Sequence, residues 1–431
     1  MGSASLTMRS PRSHRTLWLG LVLAACDRLP TEHRLPPPRS FSASPDVWSG
    51  GQLTITSQGF AAESLPVVVL DDQFLGVRRV DDTTVVASAP DRPGPHALRV
   101  VASGVDQRAV VVQLRGFVDR VEGPLLSGRT EPGRDVRYLF GSGPTGLRRW
   151  NIHTNKAIDL GDTVHAVSCT RGVGPGPTIG DLVLESDGCD SGRWLVWHTE
   201  PLYPMTDTAS ALTMYFVAVL KAGRWVVARN AEFTVNACDS VACSSESIAA
   251  TGAIDVVRSP RGDRAALLAG TTGDAAGAPV VDVNLGRVGF RVAGLSAAQG
   301  GAFSSAGDTL YLAGTSASAF ALVAINAADG QSLTTRSLDF SPCAVGLDQA
   351  RPWLYVAGVN PTSGQSVLQV FDRRTMDAIT TLHVTTDIPY GHALCRIMPN
   401  PVEHRVYVAE TWAGEHNASV HAQLYTFETP P

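Results

Sequence analysis

The chain has 431 residues, 17% of them charged and 44% hydrophobic, and a formal net charge of −5. Its length exceeds one compact core, and its composition excludes an intrinsically disordered chain. The negative charge argues against nucleic acid or an anionic lipid surface as a partner.

Arg9, Arg12 and Arg15 precede the apolar run Leu17-Trp18-Leu19-Gly20-Leu21-Val22-Leu23, the layout of an export signal. The run ends in Leu23-Ala24-Ala25-Cys26, which resembles the lipobox of bacterial lipoproteins. The resemblance implies a signal peptide over 1–26, cleavage before Cys26 and lipidation of that cysteine. The mature chain would be anchored by lipid to a bacterial membrane, inner or outer, facing the periplasm or the exterior. It would carry 32 basic against 40 acidic residues, net −8. Residues 27–40 hold Pro30, Pro36, Pro37 and Pro38 and few apolar side chains, so they read as an extended tether.

Residues 41–115 carry short β-prone runs between turns. They include Gln52-Leu53-Thr54-Ile55-Thr56, Pro66-Val67-Val68-Val69-Leu70, Thr83-Thr84-Val85-Val86-Ala87 and Arg108-Ala109-Val110-Val111-Val112. Their spacing predicts a small Ig-like β-sandwich. Gly50-Gly51 before the first run, Gly59-Phe60 after it and Pro93-Gly94-Pro95 before a late one resemble a TIG/IPT domain.

From about 116 to 431 the chain repeats. Leu268, Leu312, Val356 and Val408 occupy matched positions 44, 44 and 52 residues apart, and Leu139 and Val183 are again 44 apart. Turns such as Ser304-Ser305-Ala306-Gly307-Asp308 precede the matched strands, and a second strand ends in Asp or Asn, as at Asp282, Asn326 and Asp372. A period in the mid-forties with several short strands predicts a β-propeller, all-β like the sandwich before it. At roughly 45 residues per blade the length suggests about seven blades, with six or eight left open. The wording of the last four units resembles YVTN-type repeats of bacterial surface proteins, and residues 116–252 depart from it. Leu212 to Leu220, far short of the roughly 20 residues of a membrane helix, forms with Trp225-Val226-Val227-Ala228 a buried hairpin around Gly223.

Six cysteines remain after Cys26, an even number that suits disulfides in an exported protein. Cys343 and Cys395 lie 52 residues apart, the interval from Val356 to Val408, and so hold one phase in consecutive blades. They form one candidate bridge, Cys238 with Cys243 a second and Cys169 with Cys189 a third; six buried free thiols are the alternative. Asp387, Tyr390 and His392 precede an inner strand, where loops line a channel mouth and bind ligands. The alternative is that Pro389-Tyr390-Gly391 resembles the Pro-x-Gly entry with which YVTN-type repeats start a blade. Arg261-Gly262-Asp263 spells an adhesion tripeptide but sits where each blade turns, and Asp71-Asp72 and Asp81-Asp82 read as solvated turns.

No serine-hydrolase elbow, phosphate loop or zinc-protease pattern occurs, and neither a catalytic residue, a metal site nor a cofactor is predicted. The expected role is a lipid-anchored envelope module that binds or scaffolds a protein or carbohydrate. A propeller enzyme of lactonase or lyase type, or a structural spacer, stands as the alternative.

Overall fold

The computed structural model describes residues 41–57, 60, 65–102, 109–122, 127–132, 137–143, 146–159, 170–175, 182–187, 193–199, 202–209, 216–221, 224–229, 232–238, 243–249, 251–271, 277–317, 319–384, 394–413 and 420–431. Among these residues every regular element is a β-strand.

The first nine strands are β1 (Phe41–Ala43), β2 (Asp46–Trp48), β3 (Gln52–Ser57), β4 (Val67–Leu70), β5 (Gln73–Leu75), β6 (Val77–Arg79), β7 (Thr84–Ser88), β8 (Gly94–Val101) and β9 (Val110–Arg115). They form two sheets, ordered β1-β3-β7-β6 and β2-β9-β8-β4-β5. Alternation decides which side chains meet between them. In β3 the buried Leu53 and Ile55 alternate with Gln52 and Thr56, which face water. Leu53, Ile55, Val68, Val85, Leu98 and Leu114 fill a core that this two-layer sandwich shares with no later strand.

The remaining strands run in groups of four, each hydrogen-bonded mainly in chain order. The first group is β11 (Ser127–Pro132), β12 (Tyr138–Gly143), β13 (Gly146–Asn151) and β14 (Lys156–Asp159). The next two are β15 (Thr170–Pro175), β16 (Leu182–Asp187), β17 (Arg193–Thr199), β18 (Leu202–Ala209), and β19 (Phe216–Lys221), β20 (Arg224–Arg229), β21 (Glu232–Cys238), β22 (Cys243–Ala249). β19 and β20 pair antiparallel in the stretch where the sequence predicts a hairpin, and Gly223 itself lies outside the described residues. Then come β23 (Thr251–Arg258), β24 (Arg264–Thr271), β25 (Ala278–Asp282), β26 (Arg287–Val292), and β27 (Ala297–Phe303), β28 (Thr309–Ser316), β29 (Ala319–Asn326), β30 (Ser332–Leu338). After β31 (Ser341–Leu347), β32 (Trp353–Val359), β33 (Ser366–Asp372) and β34 (Ala378–Val384), the chain ends in β35 (Leu394–Asn400), β36 (Arg405–Ala413) and β37 (Val420–Glu428). The fourth strand of that closing group is β10 (Phe117–Glu122), which pairs antiparallel with β37 from the other end of the sequence. The matched residues Leu139, Val183, Leu268, Leu312, Val356 and Val408 all fall on second strands, β12, β16, β24, β28, β32 and β36.

A four-stranded sheet cannot bury both faces alone, so each group packs on its neighbours. Leu268 and Val280 pack with Leu312 and Val323; Tyr311 and Leu322 pack with Val356 and Phe371. Met398, Tyr407 and Leu424 of the closing group pack with Leu139 and Trp150 of the first, which shuts the ring. Along the inner strands small residues permit the close approach. A Cβ on Gly300 of β27 would fall 2.7 Å from the Cα of Ala344 on β31.

The acid or amide that ends the third strand has a mechanical reason. The Oδ1 atoms of Asn151, Asp282, Asn326 and Asp372 accept the backbone N–H two residues on, at 3.0, 2.9, 2.9 and 2.8 Å. This closes an Asx turn. Four residues after each stands a residue with positive φ: Asn155, Gly286, Gly330 and Met376. The first group therefore uses the same turn as the later ones, although its wording hides it.

The sandwich is pinned to the ring. Trp48 points away from the sandwich core, and its ring centroid lies 5.3 Å from Trp353 and 6.4 Å from Tyr355, both edge-on. It shares a core with Val370, Leu382, Tyr425 and Phe427, so one indole wedges between two adjacent groups. Thr380 Oγ1 donates to the Ser49 carbonyl at 2.6 Å, and Arg115 bridges Asp46 and Glu428 at 2.6 and 2.7 Å. Gly116, where sequence alone puts the boundary between the two parts, is buried in this junction. A Cβ there would sit 2.6 Å from Ser49 Oγ.

Candidate functional site

The outer face of the five-stranded sheet departs from the usual pattern. An antiparallel sheet with one solvated face ordinarily turns polar side chains outward. Here Val68, Leu70, Leu98, Val100, Val112 and Leu114 face the core, which sends Val67, Val69, Phe74, Val101 and Val111 to the other side. Val67 stands opposite Val101, Val69 stands between Phe74 and the exposed Arg99, and Ala97 stands opposite Val111, so this face mixes exposed apolar side chains with an arginine. Phe74 is 73% exposed and Val111 71%. The exposed large apolar residues of the ring, such as Ile158, Leu285 and Leu333, lie on separate groups. Exposed apolar side chains gathered on one sheet face suit an interaction surface. Sequence reading missed it because β-prone valines read alike on either face until the register is known.

At the centre of the ring, Asp255 on β23 pairs with Arg396 on β35, the first strands of two groups separated by two others. The Asp255 carboxylate is almost wholly buried and also accepts the Val256 N–H. A buried carboxylate is tolerated only with such partners. Arg258, at the end of the same strand, is buried, and burial draws its guanidinium down to about 10. The axis thus holds fixed charges of both signs.

The candidate channel-mouth residues Asp387, Tyr390 and His392 lie outside the described residues, as do Cys26, Cys169 and Cys189. Cys238 and Cys243 stand directly opposite each other in the β21–β22 hairpin, and Cys343 and Cys395 lie on the neighbouring strands β31 and β35. The tripeptide at 261–263 is a turn. Ser259 Oγ donates to Asp263 Oδ1 at 2.7 Å, Gly262 N–H reaches the Ser259 carbonyl, and Gly262 has positive φ. Ser304, Gly307 and Asp308 repeat the arrangement, with 2.6 Å from Ser304 Oγ to Asp308 Oδ1. The Ser304 hydroxyl is the main reason that the Asp308 carboxyl lies below its ordinary range. Asp71, in the turn between β4 and β5, is likewise engaged. It accepts from His96 Nδ1 at 2.7 Å and from the Ala97 N–H at 2.9 Å, and these bonds lower its pKa in that order.

No family model matches the chain, and no curated protein matches it. Solved structures do. One is described as the β-propeller domain of Cps50 (Swd1) from Myceliophteria thermophila; it is 9% identical, with 70% of this chain and 99% of that chain covered and a TM-score of 0.48. Another is a chain of the Mitotic Checkpoint Complex, 9% identical, with 73% of this chain and 92% of that chain covered and a TM-score of 0.52. The second of these is a propeller structure, and the ring of four-stranded groups agrees with it. The fold is a β-propeller. β10 completes the closing group, and the sandwich rides on the flank of the propeller at that group.

Proposed function

We propose that this chain is a lipid-anchored protein of a bacterial cell envelope, in which propeller and sandwich together bind or scaffold a protein partner. The observation that carries the binding reading is the set of exposed apolar side chains Val67, Phe74, Val101 and Val111 on the outer sheet face, around Arg99. It is held on a rigid support, because Trp48 and the Arg115 bridges leave the sandwich little freedom to swing. Both solved neighbours are propellers, one of them taken from a protein complex, which is consistent with a scaffold. Seven blades is the count we favour, since among the described residues the 28 strands from β10 to β37 fall into groups of four. The YVTN-type reading of the propeller and the TIG/IPT-like, Ig-type reading of the sandwich rest on motif wording. The anchor rests on the lipobox-like residues ending at Cys26.

Two experiments test the halves separately. A photo-crosslinking residue at position 74, expressed in intact envelopes, should give one discrete protein adduct, and Val67→Lys with Val111→Lys should abolish it. Envelopes that yield no adduct, or one indifferent to those substitutions, would remove the binding role. For the anchor, Cys26→Ser should end incorporation of an alkyne-tagged fatty acid and release the protein from membranes.

A further inference from the structure

We infer that Cys343 and Cys395 form a disulfide that staples the last two blades together beside the propeller axis. The Cys343 sulfur is disulfide-bonded and lies 3.4 Å from the Ala357 carbonyl oxygen, half-buried in the core that joins those blades. Its strand, β31, is the innermost of its blade, and β35 is the innermost of the next. The two run side by side, close enough that a Cβ on Gly346 would fall 2.6 Å from Ile397 Cγ2.

Register puts Cys395 in the right row. Ile397 pairs with Val408 as Val345 pairs with Val356, the equivalent position one blade earlier. Counting back along each strand, Cys395 reaches the level of Pro342 and Cys343, where β31 bulges between Pro342 and Ala344. A bulge re-aims the side chain it carries, here toward the next blade. Cys238 and Cys243 face each other across one hairpin, a separation that suits a bridge of their own. They are therefore poor competitors for Cys343.

The bridge adds a covalent tie at the inner end of a junction that Trp48 wedges at its outer end. It forms when two thiols lose two protons and two electrons to an exchangeable protein disulfide, which becomes a dithiol. This chemistry rests on the proposed export, because reducing compartments keep such thiols free.

Non-reducing tryptic mapping decides the pairing. Peptides 337–373 and 375–396, each with one of the two cysteines, should run as one linked species that separates on reduction. The mapping is made on protein from host envelopes and on protein refolded in a glutathione redox buffer. Linkage in the refolded sample supports the bridge; linkage there with free thiols in the host sample still supports it and counts against export instead. Alkylation of both cysteines in the refolded sample, or linkage of Cys343 to another cysteine, overturns the inference. Cys343→Ser, Cys395→Ser and the double variant should share one unfolding midpoint, roughly 5–10 °C below the oxidised wild type. Additive effects of the two single variants would also overturn it.

Discussion

Asp308 shows how single side chains couple the turns of this fold to pH. Its carboxyl is held low first by the Ser304 hydroxyl, that of Asp372 by Arg374, and that of Asp71 by His96. A carboxylate with a depressed folded pKa contributes stability above its unfolded value, about 3.9, and loses it as pH falls through the folded one. The melting temperature should therefore drop as pH is lowered below about 4, and Asp308→Asn should flatten that limb; a melting temperature level from pH 5 to 2.5 would contradict this. The axial pair has a different dependence. Arg396→Met leaves the Asp255 carboxylate buried without its cation, at a cost of about 3–5 kcal/mol. Pairing it with Asp255→Leu should restore much of that loss, because two apolar groups need no compensation. Denaturant unfolding of the single and double variants reads the difference, and a double variant no better than Arg396→Met would exclude a buried pair as the source.

At the scale of elements, the recurring turn and the Trp48 wedge carry different lessons. Gly330 and Gly364 both have positive φ, but a Cβ on Gly330 would meet Phe290 at 2.4 Å whereas one on Gly364 meets nothing. Gly364→Ala should cost only the left-handed penalty of about 1–2 kcal/mol, and Gly330→Ala measurably more by chemical denaturation. Equal costs would mean that Phe290 moves aside freely. Much of this element logic was legible in the sequence. The spacing of Leu268, Leu312, Val356 and Val408 located the second strands, and Asp282, Asn326 and Asp372 marked the ends of the third. The same turn at Asn151 was not legible, because the wording of residues 116–252 departs from that of the later units. Trp48 was not legible either. Its neighbours, Trp353 and Tyr355, lie some 300 residues away in sequence, beyond the reach of any local pattern. Trp48→Ala should destabilise the protein by about 3–5 kcal/mol and expose the chain near Gly116 to protease. The sandwich should survive as a resistant fragment, since its core excludes Trp48.

For the whole molecule the decisive contact joins the two ends of the propeller segment. The pairing of β10 with β37 closes the ring non-covalently, and local periodicity could not reveal it, because Phe117–Glu122 precedes the first repeat and resembles no unit of it. Without β10, the strand Val420–Glu428 would present an unpaired edge, and Phe427 would lose its ring contact with Phe117 at 5.8 Å. An exposed strand edge invites pairing with other chains. A chain of residues 116–431 lacks the Trp48 wedge but keeps the closure, so it should still unfold in one cooperative transition, at a lower temperature than the full chain. A chain of residues 123–431 loses the closing strand as well, and each remaining blade contacts only its neighbours. It should melt broadly and elute from size exclusion as aggregates. If the two truncated chains melt alike and both remain monomeric, β10 does not hold the ring, and its stability must come instead from the cores that neighbouring blades share.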